Sequence, residues 1–256
     1  MEKPLIFITN DDSVFAKGIQ SLIECLRPLG DILVVAPDNP RSAQSSALTV
    51  ASPLRITKIE EEDSLQVYKC NGTPADCVKL AMSQLVTRKP DLLVSGINHG
   101  TNASISILYS GTMGAALEGC VAGIPSFGIS LCDYNPRADF MASMKYAYLI
   151  ATQILKNGLP KGICLNVNIP ETQDVKGIWI CRQADGLWKE EFVKREDPNG
   201  KHYYWLTGYF HNAEPQSEDT DEWALAAGYV SIVPCKIDMT AHEFISELKQ
   251  WDYDLE

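Results

Sequence analysis

Apolar and polar positions alternate along the chain in two rhythms, one of strands and one of helices, and the two take turns from the first residues. Residues 4–9 form an apolar run that reads as a strand. Residues 17–26 place Ile19, Leu22, Ile23 and Leu26 at helical spacing. A second apolar strand at 31–36 is stopped by Pro37, and strands at 48–58 and 65–70 suggest an antiparallel pair. Asn71-Gly72-Thr73-Pro74 reads as a turn that opens a helix running to about residue 85, with Thr73 as the cap and Pro74 at the first helical position. The pattern then gives a buried strand at 91–95, a small-residue helix at 112–122, a strand at 125–130, a long amphipathic helix at 138–155 and a strand at 164–169. Such alternation predicts an α/β fold: a Rossmann-like, doubly wound, mostly parallel sheet between two layers of helices.

The rhythm changes after residue 176. A strand is expected at 179–182, followed by two aromatic-rich runs at 188–194 and 202–207 that flank Asp197-Pro198-Asn199-Gly200, a hairpin signal. The hairpin either folds back on its own core or projects as an arm that pairs with a second subunit, which its aromatic content favours. Residues 214–222 read as an acidic loop, 228–234 as the last strand and 241–251 as a terminal helix. We take residues 1–256 as one domain, with a core at 1–176 and the arm, last strand and terminal helix at 177–256.

The 256 residues carry 45% hydrophobic and 21% charged side chains, values of an ordinary globular chain that exclude a disordered one. A net charge of −11 argues against a long nucleic-acid partner, which needs a basic face. It leaves room for a small anion, provided a cation and backbone amides supply positive potential. The eight cysteines include no Cys-x-x-Cys pair and fall largely in apolar runs, so reduced, buried thiols are expected. The stretch 1–4 leads into the first strand without a signal peptide, and no apolar run is long enough to span a bilayer. A cytoplasmic protein with no membrane partner is the expectation.

The chemistry concentrates where predicted strands end. The first strand finishes in Asn10, Asp11 and Asp12, and adjacent carboxylates resist joint ionisation unless a cation lies between them. The loop after the second strand offers Ser42, and the strand at 91–95 leads into Asn98. In a doubly wound sheet these ends share one edge. Asp11, Asp12, Ser42 and Asn98 make a small oxygen-only set suited to one Mg²⁺ or Mn²⁺ per subunit, with open positions for water. Ser110, Gly111 and Thr112 then open a helix, whose amides and dipole suit a phosphate; Asn10 joins them as a phosphate-side residue. Asp11 and Asn10 are the catalytic candidates, with Asp11 orienting or deprotonating the nucleophile; water and Asp11 itself are both available for that role. His99 adjoins Asn98 and reads as a substrate-side general acid or as a plain loop histidine. No Gly-x-Gly-x-x-Gly follows the first strand, which argues against a dinucleotide oxidoreductase.

Five segments in order resemble the SurE (survival protein E) family. They are Thr9-Asn10-Asp11-Asp12, Ala36-Pro37-Asp38 with Arg41-Ser42, Asn71-Gly72-Thr73-Pro74-Ala75-Asp76, Ser95-Gly96-Ile97-Asn98-His99-Gly100 with Asn102, and Tyr109-Ser110-Gly111-Thr112 with Gly114-Ala115-Ala116. Leu165–Pro170 and Gly228–Ser231 add to the likeness. The resemblance implies a metal-dependent 5′(3′)-nucleotidase acting on nucleoside monophosphates, with metal ligands at Asp11, Asp12, Ser42 and Asn98. It also implies homodimers or homotetramers that exchange C-terminal elements. A non-catalytic nucleotide-binding module and a broad acid phosphatase or exopolyphosphatase are the alternatives. The family usually places glycine after the Asp pair, where this chain has Ser13; a turn with positive φ is therefore expected at a residue that adopts it poorly.

Overall fold

A computed structural model describes residues 3–253. Met1 and Glu2 of the N-terminal stretch, and residues 254–256 of the single-domain reading, lie outside the described residues. The chain begins with β1 (Leu5–Thr9), α1 (Lys17–Leu26), β2 (Asp31–Pro37), β3 (Ile56–Glu62), β4 (Leu65–Cys70) and α2 (Pro74–Gln84). It continues through β5 (Leu92–His99), α3 (Gly111–Val121), β6 (Ser126–Leu131), α4 (Met141–Asn157) and β7 (Ile163–Ile169). The last part holds β8 (Ile178–Ile180), β9 (Gly186–Lys189), β10 (Phe192–Glu196), β11 (His202–Leu206), β12 (Tyr209–Asn212), α5 (Asp221–Ala226), β13 (Val230–Lys236) and α6 (Ile245–Leu248).

Nine strands form one sheet in the order β3-β4-β2-β1-β5-β6-β7-β13-β8. The run from β4 to β7 is parallel, while β3 and β13 enter antiparallel to their neighbours β4 and β7. Both faces of β1 are dry because its side chains alternate: Ile6 and Ile8 join the core with α1 and α4, and Phe7 joins the core with α2. The stripe Ile19, Leu22, Ile23 and Leu26 of α1 is buried as its spacing predicts, each side chain contributing about 1.5–3 kcal/mol. From β1 the chain winds one way to β2, and from β5 it winds the other way to β6 and β7. The switch point, where an open α/β sheet leaves a crevice outside its carboxyl ends, thus falls between β1 and β5.

Four expectations change. The strand read at 48–58 begins only at Ile56, because the segment before it is held by the start of α2. The Thr49 amide donates to the Asp76 carboxylate, and the Thr73 hydroxyl donates to the Ala47 carbonyl. The run at 188–194 breaks at Glu190, whose φ is +53°, into β9 and β10. The hairpin therefore has an inner ladder, β9 with β12, and an outer ladder, β10 with β11. The acidic stretch ends in a helix, α5, capped by Thr220 through the Trp223 amide. Residues 241–251 supply only a single 3-10 turn and the four-residue α6, none of them buried. All eight cysteines are free, and five of them are buried.

Candidate functional site at the carboxyl ends of β1 and β5

The chain leaves β1 through a tight turn. Asn10 is fully buried and its Nδ2 donates to the Ser13 carbonyl at 2.9 Å. Ser13 takes the positive φ expected of the turn, +97°. Its hydroxyl donates to the Asp38 carbonyl and accepts from the Phe15 amide, both at 3.3 Å. The turn sends Asp11 inward and leaves Asp12 at the rim.

Asp11 meets the first turn of α3. The Thr112 hydroxyl donates to Asp11 Oδ1 at 2.6 Å, and the Thr112 backbone also hydrogen-bonds the carboxylate. The approach requires glycine at 111: a Cβ there would lie 2.9 Å from Asp11 Cβ and 3.0 Å from Oδ2. On the other side, the Asp11 carbonyl accepts from the Arg41 amide at 2.7 Å, one residue before the exposed Ser42. The loop beyond is pinned to the start of α3. The Ser45 amide donates to the Tyr109 carbonyl, the Ser45 hydroxyl donates to the Leu108 carbonyl, and Gly114 lets the Ser45 carbonyl approach.

Asp12 accepts from the His99 amide at 3.3 Å, and this bond joins the end of β1 to the end of β5. The ladder between β5 and β6 shifts register between Gly96 and Asn98, a local irregularity after which Asn98 pairs with Ser130. Asn98 Nδ2 donates to the Gly100 carbonyl at 2.9 Å, which leaves its Oδ1 open as a ligand.

Burial raises the Asp11 carboxyl to about 6; the charge of Asp12 adds to the rise and the Thr112 hydrogen bonds oppose it. Burial also raises Asp12, against the His99 hydrogen bond. Two adjacent carboxyls, both pushed toward the protonated form, are the electrostatic state that a divalent cation relieves. The Oδ1 of Asn10 is buried and takes no hydrogen bond among the described residues. Among those residues no three His, Cys, Asp or Glu side chains are placed to hold a metal ion together. A set of two carboxylates, one hydroxyl and one amide oxygen does not call for a third, and hard oxygen donors of this kind fit Mg²⁺ or Mn²⁺.

The structure thus brings Asp11, Gly111 and Thr112 into direct contact and Asp12 onto the backbone of the Asn98 segment. Ser110 serves as the cap of α3, accepting from the Met113 amide at 3.0 Å. The His99 ring turns toward the following loop: its Nδ1 lies 3.3 Å from the Asp133 carbonyl oxygen and its edge packs on Phe140 at 5.0 Å. Asn71 spends its side chain on the 53–55 segment, accepting from the Arg55 amide and donating to the Pro53 carbonyl, so it holds a loop. Sequence reasoning missed the buried polar web behind the site. The Asn102 backbone amide donates to Asn168 Oδ1 and its side-chain Nδ2 to the Ser130 hydroxyl, while Asn166 Nδ2 donates to the Asn102 carbonyl. Its signal was present: asparagines at alternate positions of an otherwise apolar strand need buried partners.

The SurE family model ("Survival protein SurE") matches residues 6–190. A relative from Phocaeicola vulgatus named 5'-nucleotidase SurE is 52% identical over 254 residues, covering 99% of each chain. One of the same name from Bacteroides fragilis is 52% identical over 98% of each chain. The crystal structure of the SurE protein from Aquifex aeolicus superposes with a TM-score of 0.84 at 38% identity, covering 96% of this chain and 98% of that one. With the family model over most of its length, and with the Asp pair, the Asn98 segment and the α3 cap converging at one switch point, this chain belongs to the SurE family.

Proposed function

We propose that the chain is a divalent-metal-dependent nucleotidase that removes the phosphate of 5′- and 3′-nucleoside monophosphates. The observation that carries the reading is the pair Asp11 and Asp12 at the switch point, with Asp11 hydrogen-bonded to the first turn of α3. The names of the relatives, 5'-nucleotidase SurE, support the substrate class.

Asp11, Asp12, Ser42 and Asn98 would hold one Mg²⁺ or Mn²⁺ per subunit. When bound, such a cation polarises a phosphoryl oxygen and acidifies its water. The protein's own groups do the positioning. Asn10, with an unpartnered buried Oδ1, and the Ser110-Gly111-Thr112 turn orient the phosphoryl group against Asp11. Asp11 orients the attacking water and takes its proton as the general base. His99 follows Asn98, and its ring, set against the Asp133 carbonyl and Phe140, holds the loop that borders the substrate side. The transfer is in line: water attacks phosphorus as the nucleoside alkoxide leaves.

The single-domain reading is supported by β8 and β13, which belong to the same sheet as β1. The outer ladder of the arm is exposed along both strands, with Phe192, Tyr204, Trp205 and Leu206 each more than half accessible. An apolar two-stranded ribbon of this kind suits a homodimer or homotetramer contact. Free thiols suit a reducing, cytoplasmic setting. Among the described residues no helix is long and apolar enough to cross a membrane.

Phosphate release from a panel of 5′- and 3′-nucleoside monophosphates, in EDTA and after adding Mg²⁺ or Mn²⁺, tests the proposal. Turnover restored by metal is expected. Folded protein that is inactive with every metal and nucleotide overturns it.

A further inference from the structure

Over the segment that follows Asn98 stands an aromatic ring that the phosphate chemistry does not use. Tyr134 is 69% exposed, yet it is not loose. Its ring occupies the space over Gly100, where a Cβ would lie 2.3 Å from Cε1 and 2.7 Å from Cζ. Its hydroxyl end lies toward the Thr101 backbone. The preceding residue is tied as well, the Asp133 carbonyl lying against the His99 ring. The ring is thus seated on the 99–101 segment, directly after Asn98, whose side-chain Nδ2 donates to the Gly100 carbonyl.

Two other exposed aromatic rings border the site. Phe15 follows the Asp turn and Tyr109 precedes the α3 cap, at 65% and 54% exposure. An aromatic ring kept exposed but fixed costs apolar contact with water, and it pre-pays the ordering that a flat ligand would otherwise demand. A ring of this size and fixity matches a nucleobase, which offers a π-face whatever its identity.

We propose that Tyr134 is the platform on which the base of the nucleotide stacks while its phosphate lies at Asp11 and Asp12; this rests on the nucleotidase reading. Stacking of this kind tolerates every base and favours the larger purine ring. It binds through the part of the substrate remote from phosphorus, so it separates nucleotides from other phosphomonoesters.

The test compares kcat/KM for AMP with kcat/KM for ribose 5-phosphate, which keeps the sugar and phosphate and lacks the base. Tyr134→Phe keeps the ring, and Tyr134→Leu keeps apolar bulk over Gly100 without a π-face. The AMP-to-ribose-5-phosphate ratio is expected to fall about tenfold or more in Tyr134→Leu and to stay within about twofold of wild type in Tyr134→Phe. A ratio that is unmoved in Tyr134→Leu, because both substrates lose equally or neither loses, overturns the platform. A ratio that moves instead with Phe15→Leu or Tyr109→Leu overturns it as well. A wild-type protein that hydrolyses ribose 5-phosphate and no nucleotide refutes the nucleotidase reading itself, a result distinct from the other two.

Discussion

Asp11→Asn should stabilise the metal-free protein while disabling it. The buried carboxyl of Asp11 rises from 3.8 to about 6. At pH 7 the folded protein therefore holds an ionised group that it would rather protonate, a penalty of about 3 kcal/mol at roughly 1.4 kcal/mol per pKa unit. The sign follows from linkage: with the folded value raised, the penalty is absent below pH 3.8, grows between 3.8 and about 6 and is constant above that. Asparagine removes the charge and keeps an Oδ1 to accept from Thr112, but it adds an amide N–H without an assigned partner, which takes back about 1 kcal/mol. A net gain of about 2 kcal/mol in EDTA at pH 7 corresponds to a rise in Tm of about 4–8 °C for a chain of this size. The gain should shrink through pH 5 and be gone by pH 4. With Mg²⁺ or Mn²⁺ present the order narrows or reverses, since only the wild type gains binding energy from the cation. Thermal unfolding of both proteins across pH, with and without metal, makes the measurement. An Asp11→Asn protein no more stable than wild type at pH 7 in EDTA, or a gain that does not depend on pH, refutes the reasoning, as does an Asp11→Asn enzyme with wild-type turnover.

The other predictions are local. Gly111→Ala places a Cβ against Asp11, so kcat should fall about 100-fold with the fold retained, as circular dichroism would report. Ser13→Gly relieves a φ of +97° at the loss of two 3.3 Å hydrogen bonds; denaturant midpoints should show a gain of about 0.5–1 kcal/mol, whereas Ser13→Val should lose more than about 2 kcal/mol. Replacing residues 190–208 by Asn-Gly joins β9 directly to β12 in a two-residue turn. Light scattering should then find a smaller assembly than the full chain forms, while an unchanged mass would remove the arm from the subunit contact.

Much of the site was legible because strand ends are punctuated. The apolar run 4–9 stops at Asn10, the α2 cap at Thr73 is a complete capping box with Asp76, and the departure from glycine at Ser13 foretold a positive φ. What escaped the sequence depends on partners far along the chain. Leu48, Val50 and Leu54 imitate a strand, but the Asp76 carboxylate and the Thr73 hydroxyl claim that backbone from α2. Phe244, Ile245, Leu248 and Trp251 have helical spacing, yet Phe244, Ile245 and Trp251 remain exposed. With no surface to pack on, only a turn or so of helix forms. Thr220 with Asp221 and Glu222 did carry a readable helix start, a cap followed by acids in the first turn, and the acidity of the whole stretch masked it. The role of Thr112 as the hydrogen-bond donor to Asp11, rather than only a phosphate-side hydroxyl, needed the distance across the two elements.

The most direct measurement of the central claim is a titration of the metal-free protein with Mn²⁺, counting free ion by its electron paramagnetic resonance signal. The account predicts one ion per chain, with affinity lost or weakened at least tenfold in each of Asp12→Ala, Ser42→Ala and Asn98→Ala. No saturable Mn²⁺ binding by the wild type, or binding indifferent to all three substitutions, would contradict it.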